Sequence, residues 1–99
     1  MGTPLSFNSI VVVSPDQVWC PLGDESAILS LKNSVYYGMN EVGTRVWSLL
    51  KEPKRIAEVR DAIVHEYEVD AERCGQEVLE LIEKLRVEGL IEVREAAAR

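Results

Sequence analysis

The segment Tyr36-Tyr37-Gly38-Met39-Asn40-Glu41-Val42-Gly43-Thr44-Arg45-Val46-Trp47-Ser48-Leu49-Leu50 decides the fold, because the hydrophobic period changes inside it. Up to Met39 the apolar residues come in short β-branched or aromatic runs broken by turn residues, the mark of strands. From Val42 onward they recur as Val42, Val46, Leu49 and Leu50, one face of a helix. Asn40 stands at the junction as a helix N-cap, with Glu41 favourable at the positive end of the helix dipole. Trp47 lies beside the stripe, and Pro53 ends the helix.

Working back from Tyr36, Val35–Met39 reads as a strand after the turn Lys32-Asn33-Ser34. Ala27–Leu31 reads as the strand before it. Pro21–Asp24 is a further turn, Gln17–Cys20 a piece of strand anchored by Trp19, and Ile10–Val13 a β-branched run closed by Ser14-Pro15-Asp16. Connections this short join antiparallel neighbours. Residues 9–39 are therefore expected to form an antiparallel meander, preceded by a loose N-terminus over 1–8. Adjacent Tyr36 and Tyr37 must point to opposite faces. With an odd number of linking residues Tyr37 shares the face of Leu29 and Leu31; with an even number Tyr36 does.

Working forward, a second helix is expected from Lys54 or Arg55, with Ile56, Val59, Ile63 and Tyr67 inward. After the Glu68-Val69 turn, Asp70 caps a third, longer helix. Its stripe is Cys74, Val78, Leu81 and Leu85, widened by Ile82. Gly89 serves as a left-handed C-terminal cap. Leu90–Val93 is strand-like, and 94–99 is expected to fray. The pattern is a small α+β domain: an N-terminal three-stranded antiparallel sheet followed by three helices and a short strand. The last two helices with flanking strands suit a winged helix-turn-helix. Ninety-nine residues allow a single domain over 1–99, with 40–93 as its three-helix winged part.

A winged helix suggests DNA, and charge tests that. The chain carries a formal net charge of −6. Residues 70–99 hold five basic against eight acidic residues, so a recognition helix at Asp70–Gly89 would be repelled by phosphates. No nucleic-acid partner is expected. Catalysis is not expected either. There is no GxSxG, Walker or GxGxxG motif, and His65 lies off its helix's apolar stripe as a solvated residue. Cys20 and Cys74 are far apart and, with His65, lack a fourth ligand, so neither a metal site nor any cofactor is expected. No apolar run reaches the roughly 20 residues a membrane span needs, and no secretory signal is recognisable. Reduced cysteines and a cytoplasmic location follow as expectations.

What remains is binding of a peptide or protein. The edge of a meander offers unpaired N–H and C=O groups to which an extended peptide can add as a strand. Val35–Met39 is the candidate edge, and the third helix would be the other wall of an apolar groove.

The segment quoted at the outset resembles the PqqD-like family. So do Ile56–Val59, Glu66–Asp70 and Leu85–Ile91, and the resemblance extends over about 9–93. Met39 stands where the family more often has Leu, a conservative departure. The resemblance implies a winged helix-turn-helix that binds the leader segment of a ribosomally made precursor peptide as an extra strand. It implies delivery of that leader to a modifying enzyme, with no catalysis of its own. Contacts carried over from it are Ser34, Val35, Tyr36 and Tyr37 on the strand, and Arg73, Cys74, Glu77, Val78 and Leu81 on the third helix. Two systems fit. One is the discrete recognition protein of lasso-peptide pathways, working with a separate leader protease and a cyclase, which the Tyr37–Trp47 block favours. The other is the peptide chaperone of pyrroloquinoline quinone biosynthesis. A winged-helix DNA-binding regulator is the reading from a different class.

Overall fold

A computed structural model describes residues 5–94. Its elements in chain order are β1 (Ile10–Val13), β2 (Gln17–Leu22), β3 (Glu25–Ser30), β4 (Tyr36–Met39), α1 (Glu41–Leu49), β5 (Lys54–Arg55), α2 (Ile56–Tyr67), α3 (Ala71–Val87) and β6 (Ile91–Arg94). They make an α+β fold of two three-stranded antiparallel sheets and three helices. The sheet orders are β5-β1-β6 and β2-β3-β4.

The first strand departs from the expected meander. β1 does not pair with β2; it lies between β5 and β6, with Val13 opposite Ile91 and Ile10 opposite Arg94. Val11 and Val12 are both buried. A run of β-branched residues without alternation is what a strand flanked on both edges and covered on both faces requires. Lys54 and Arg55 accordingly pair with Val11 and Ile10, and α2 begins only at Ile56. The meander is β2-β3-β4 alone. β2 runs on through Pro21, allowed because it is an edge strand. It turns at Gly23-Asp24, where Gly23 takes φ 70°, the positive value that two-residue hairpins demand.

The expected loose N-terminus is also corrected for residues 5–8; residues 1–4 lie outside the described residues. Phe7 packs against the core, its carbonyl accepts from Ala57 N–H at 2.9 Å, and its ring carries the Arg60 guanidinium 4.8 Å from the centroid. At the other end Arg94 still belongs to β6, and the rest of the expected frayed tail lies outside the described residues.

The helix termini follow their sequence signals. Asn40 Oδ1 accepts from Gly43 N–H at 2.8 Å, Asp70 Oδ2 accepts from Arg73 N–H at 2.9 Å, and Gly89 takes φ 77° after α3. Trp47 and Val46 of α1 with its C-cap Leu50, Ile56, Val59 and Ile63 of α2, and Cys74, Val78, Ile82 and Leu85 of α3 join Ile28 and Val11 in one core. The stripe of α3 therefore runs through Ile82, while Leu81 is only half-buried.

Register settles the tyrosines. Tyr37 lies opposite Ile28, and Tyr36 opposite Leu29. Ser26, Ile28 and Ser30 form the buried face of β3, so Tyr37 turns inward and Tyr36, with Leu29, outward. The even-number case therefore applies: β3 ends at Ser30, which lies opposite Val35, so four residues, Leu31 to Ser34, make the turn, with Ser34 at φ 61°. The serines disguise the inner face. Ser26 is accommodated there by a 2.8 Å hydrogen bond between its Oγ and Thr44 Oγ1 of α1.

Candidate functional site

β4 runs directly into α1 through the Asn40 cap. The strand end, the first turn of α1 and the N-terminal half of α3 thus converge, leaving a groove of about 650 Å³. Gly38, Met39 and Asn40 line the strand side, and Val42, Gly43 and Val46 the first turns of α1. Ile63 and Tyr67 come from α2, Val69 and Asp70 from the connection, and Arg73, Cys74, Glu77, Val78 and Leu81 from α3. Gly43 keeps the groove open. A Cβ there would stand 3.2 Å from Met39 Cε and 3.3 Å from Asn40 Oδ1.

All five α3 residues expected from the sequence are therefore brought together on one wall. Met39, Val46, Ile63, Cys74 and Val78 are buried, while Val42 and Val69, 38% and 44% exposed, stand at the rim. Arg73 and Glu77 form a solvent-facing ion pair at 3.2 Å. Burial pushes the Cys74 thiol above its ordinary pKa, with the Glu77 carboxylate adding to the shift and Arg60 opposing it. Cys74 is thus a packing residue whose thiol is less readily ionised than a free one. Burial also raises Tyr67, helped by the nearby carboxylates of Glu41 and Glu66.

The four expected strand residues do not line the groove. Ser34 and Val35 precede β4, and their backbone is already engaged. Ser34 N–H donates to Ser30 O at 2.9 Å, Val35 O accepts from Ser30 N–H at 3.0 Å, and Val35 N–H donates to Asn33 Oδ1 at 3.0 Å. Tyr36 lies on the outer face of the sheet. Tyr37 points inward, and its hydroxyl donates to Glu88 Oε1 at 2.7 Å, tying β4 to the C-cap of α3. That bond is the main reason its phenol is raised above the ordinary tyrosine value.

The contributions of α1 and α2 were missed from the sequence. The available signal was Gly43, a glycine one turn into a helix. Such a residue costs roughly 0.5–1 kcal/mol relative to alanine and marks a close approach.

A second surface feature adjoins the first. The outer face of β2-β3-β4 carries Val18, Cys20 and Leu22, then Glu25, Ala27 and Leu29, then Tyr36 and Gly38. Val18, Leu22 and Tyr36 are 44%, 66% and 66% exposed. A solvated sheet face normally alternates to polar residues; apart from Glu25 at one end, this one is apolar.

Among the described residues no cluster of three or more His, Cys, Asp and Glu could hold a metal ion, and Cys20 and Cys74 are free thiols. No helix of the described residues is long and apolar enough to cross a membrane.

Comparison with known proteins places this architecture. No curated protein matches the sequence. Among solved structures, TbiB1 in complex with the TbiA(beta) leader peptide superposes with a TM-score of 0.76 at 36% identity, over 82% of this chain and 94% of that one. The family model described as coenzyme PQQ synthesis protein D (PqqD) matches residues 25–91, from the start of β3 into β6. The chain belongs to the PqqD family.

Proposed function

We propose that this chain is a non-catalytic recognition element. It binds the leader segment of a ribosomally made precursor peptide as a strand added to β4, with α3 as the opposite wall, and presents it to a separate modifying enzyme. The observation that carries this reading is the groove of about 650 Å³ at the end of a strand whose second edge is unpaired among the described residues. The likeness to TbiB1, solved with a leader peptide, supports it at 36% identity. On this reading α2, α3 and the β5-β1-β6 sheet are the winged helix-turn-helix. Arg73, Cys74, Glu77, Val78 and Leu81 form the helix side of the site, and Ser34, Val35, Tyr36 and Tyr37 belong to the strand side.

The lasso-peptide pathway, with its separate leader protease and cyclase, is the preferred setting. The apolar outer face of β2-β3-β4 supports a second protein partner, since an exposed apolar face of this kind marks an interaction surface. Such a chain works in the cytoplasm, where its precursor is made. The family description favours a second reading, the peptide chaperone of pyrroloquinoline quinone biosynthesis. A DNA-binding role is disfavoured by the acidic α3.

The test is titration of a labelled leader, from the precursor encoded beside this gene, into wild type and Val42→Glu. Val42 is 38% exposed, so a charge there is compatible with folding, which circular dichroism checks. Binding is expected to weaken about tenfold or more, equivalent to about 1.4 kcal/mol. Wild type that binds no such leader would refute the reading. Val78→Glu is unsuitable because Val78 is 3% exposed and the variant would report on folding.

A further inference from the structure

The groove accounts for side chains, but not for the backbone of the peptide. In an antiparallel pair, residues opposite one another alternate. One pair exchanges both N–H···O bonds, and the next directs its N–H and C=O away from the partner. The phase on β4 is fixed by Ser30 N–H donating to Val35 O at 3.0 Å, which puts Ser30 and Val35 at a bonded position although the return bond is replaced by Val35 N–H donating to Asn33 Oδ1. With Ile28 opposite Tyr37 and Ser26 opposite Met39, those two pairs are bonded as well. Leu29–Tyr36 and Ala27–Gly38 are the intervening pairs. The N–H and C=O of Tyr36 and Gly38 therefore point out of the sheet along its free edge.

The edge is bounded at both ends. Toward the N-terminus Ser34 takes φ 61° and its N–H returns to Ser30 O. Toward the C-terminus the Asn40 carbonyl is occupied by Thr44 N–H at 2.8 Å.

Resting on the peptide-binding reading above, we infer that Tyr36 and Gly38 supply the paired N–H and C=O groups for the added strand and so set its register. Val35, Tyr37 and Met39 make no backbone bonds to it. The peptide then gains at most four ladder hydrogen bonds at these two residues. Its side chains opposite Tyr37 and Met39 turn inward, and the one opposite Met39 enters the apolar groove beside Cys74 and Val78. Those opposite Tyr36 and Gly38 turn to the outer face, where Gly38 leaves room: a Cβ built there meets nothing within 4 Å. Specificity should sit on alternate peptide residues, in the phase set by Met39.

Amide hydrogen exchange of the isotopically labelled chain tests this, using as probe a synthetic peptide of the leader segment encoded beside the gene. Exchange at Tyr36 and Gly38 should slow by about tenfold or more on saturation, since exchange then requires the added strand to open. Tyr37 and Met39, already bonded to β3, should change little. If the peptide perturbs Val42 and Leu81 but leaves the Tyr36 and Gly38 amides exchanging as before, or protects Tyr37 and Met39 instead, the register is wrong while the groove stands. If the peptide perturbs nothing, the peptide-binding reading fails and the register with it.

Discussion

The Tyr37 hydroxyl donates to Glu88 Oε1 at 2.7 Å, joining two residues 51 positions apart and fastening the strand beside the groove to the end of α3. The bond raises the phenol's pKa in the folded chain. A raised folded value means the contribution is complete below the unfolded tyrosine pKa and is lost as pH climbs through the folded one. Glu88→Gln should lower the Tyr37 pKa toward the ordinary value, as followed by NMR titration of the ring. It should also reduce the loss of stability at alkaline pH. An unmoved Tyr37 titration would show that Glu88 is not its partner in solution.

Leu85 and Leu81 sit one turn apart on α3 but do different work. Leu85 is 3% exposed in the core, so Leu85→Ala should cost about 2–5 kcal/mol in chemical denaturation. Leu81 is half-buried on the groove wall, so Leu81→Ala should cost clearly less stability and should weaken leader binding. Equal denaturation midpoints for the two variants would contradict the placement of the core.

Cys74 lines the groove with 5% exposure and a thiol made less acidic by burial. Alkylation at neutral pH should be slower at Cys74 than at half-exposed Cys20, and slower still at Cys74 with leader peptide present. Mass spectrometry of the two cysteine peptides reads both rates. Leader binding that leaves the Cys74 rate untouched would place the peptide elsewhere.

Arg45 of α1 holds Glu66 of α2 through Nε and Nη2, the shortest contact being 2.7 Å. The guanidinium pulls the Glu66 carboxyl below its ordinary pKa. With a lowered folded value, the stabilisation is complete above the unfolded glutamate pKa and disappears as pH falls through the folded one. Arg45→Met should therefore lose stability at neutral pH and converge on wild type in acid. The pair is partly exposed, so the effect should be modest and salt-sensitive.

Much of this was legible in the residues. Asn40, Asp70 and Gly89 marked helix ends because each supplies a cap that backbone groups need locally. The α3 wall was legible because residues three and four apart share a helix face whatever lies beyond it. The long-range choices were not. Ile10–Val13 carries no mark telling whether its partner is the next strand or one eighty residues away. Ser26 and Ser30 hid the inner face of β3, since Ser26 is satisfied by Thr44, eighteen residues on. That Ser34 and Val35 do not line the groove was not legible, because their local backbone bonds depend on the φ of Ser34, which composition does not reveal.

The position of β1 between β5 and β6 also bears on how the chain acquires its shape during synthesis. The β2-β3-β4 hairpins join near neighbours and can close as soon as they emerge. β1 has to wait for the last strand, because Ile10 pairs with Arg94. Contacts so distant along the chain slow folding. The free edge of β4 can thus form before α3 has been made to wall it. On the proposed peptide-binding reading, the complete groove forms only after α3 and β6 have been made.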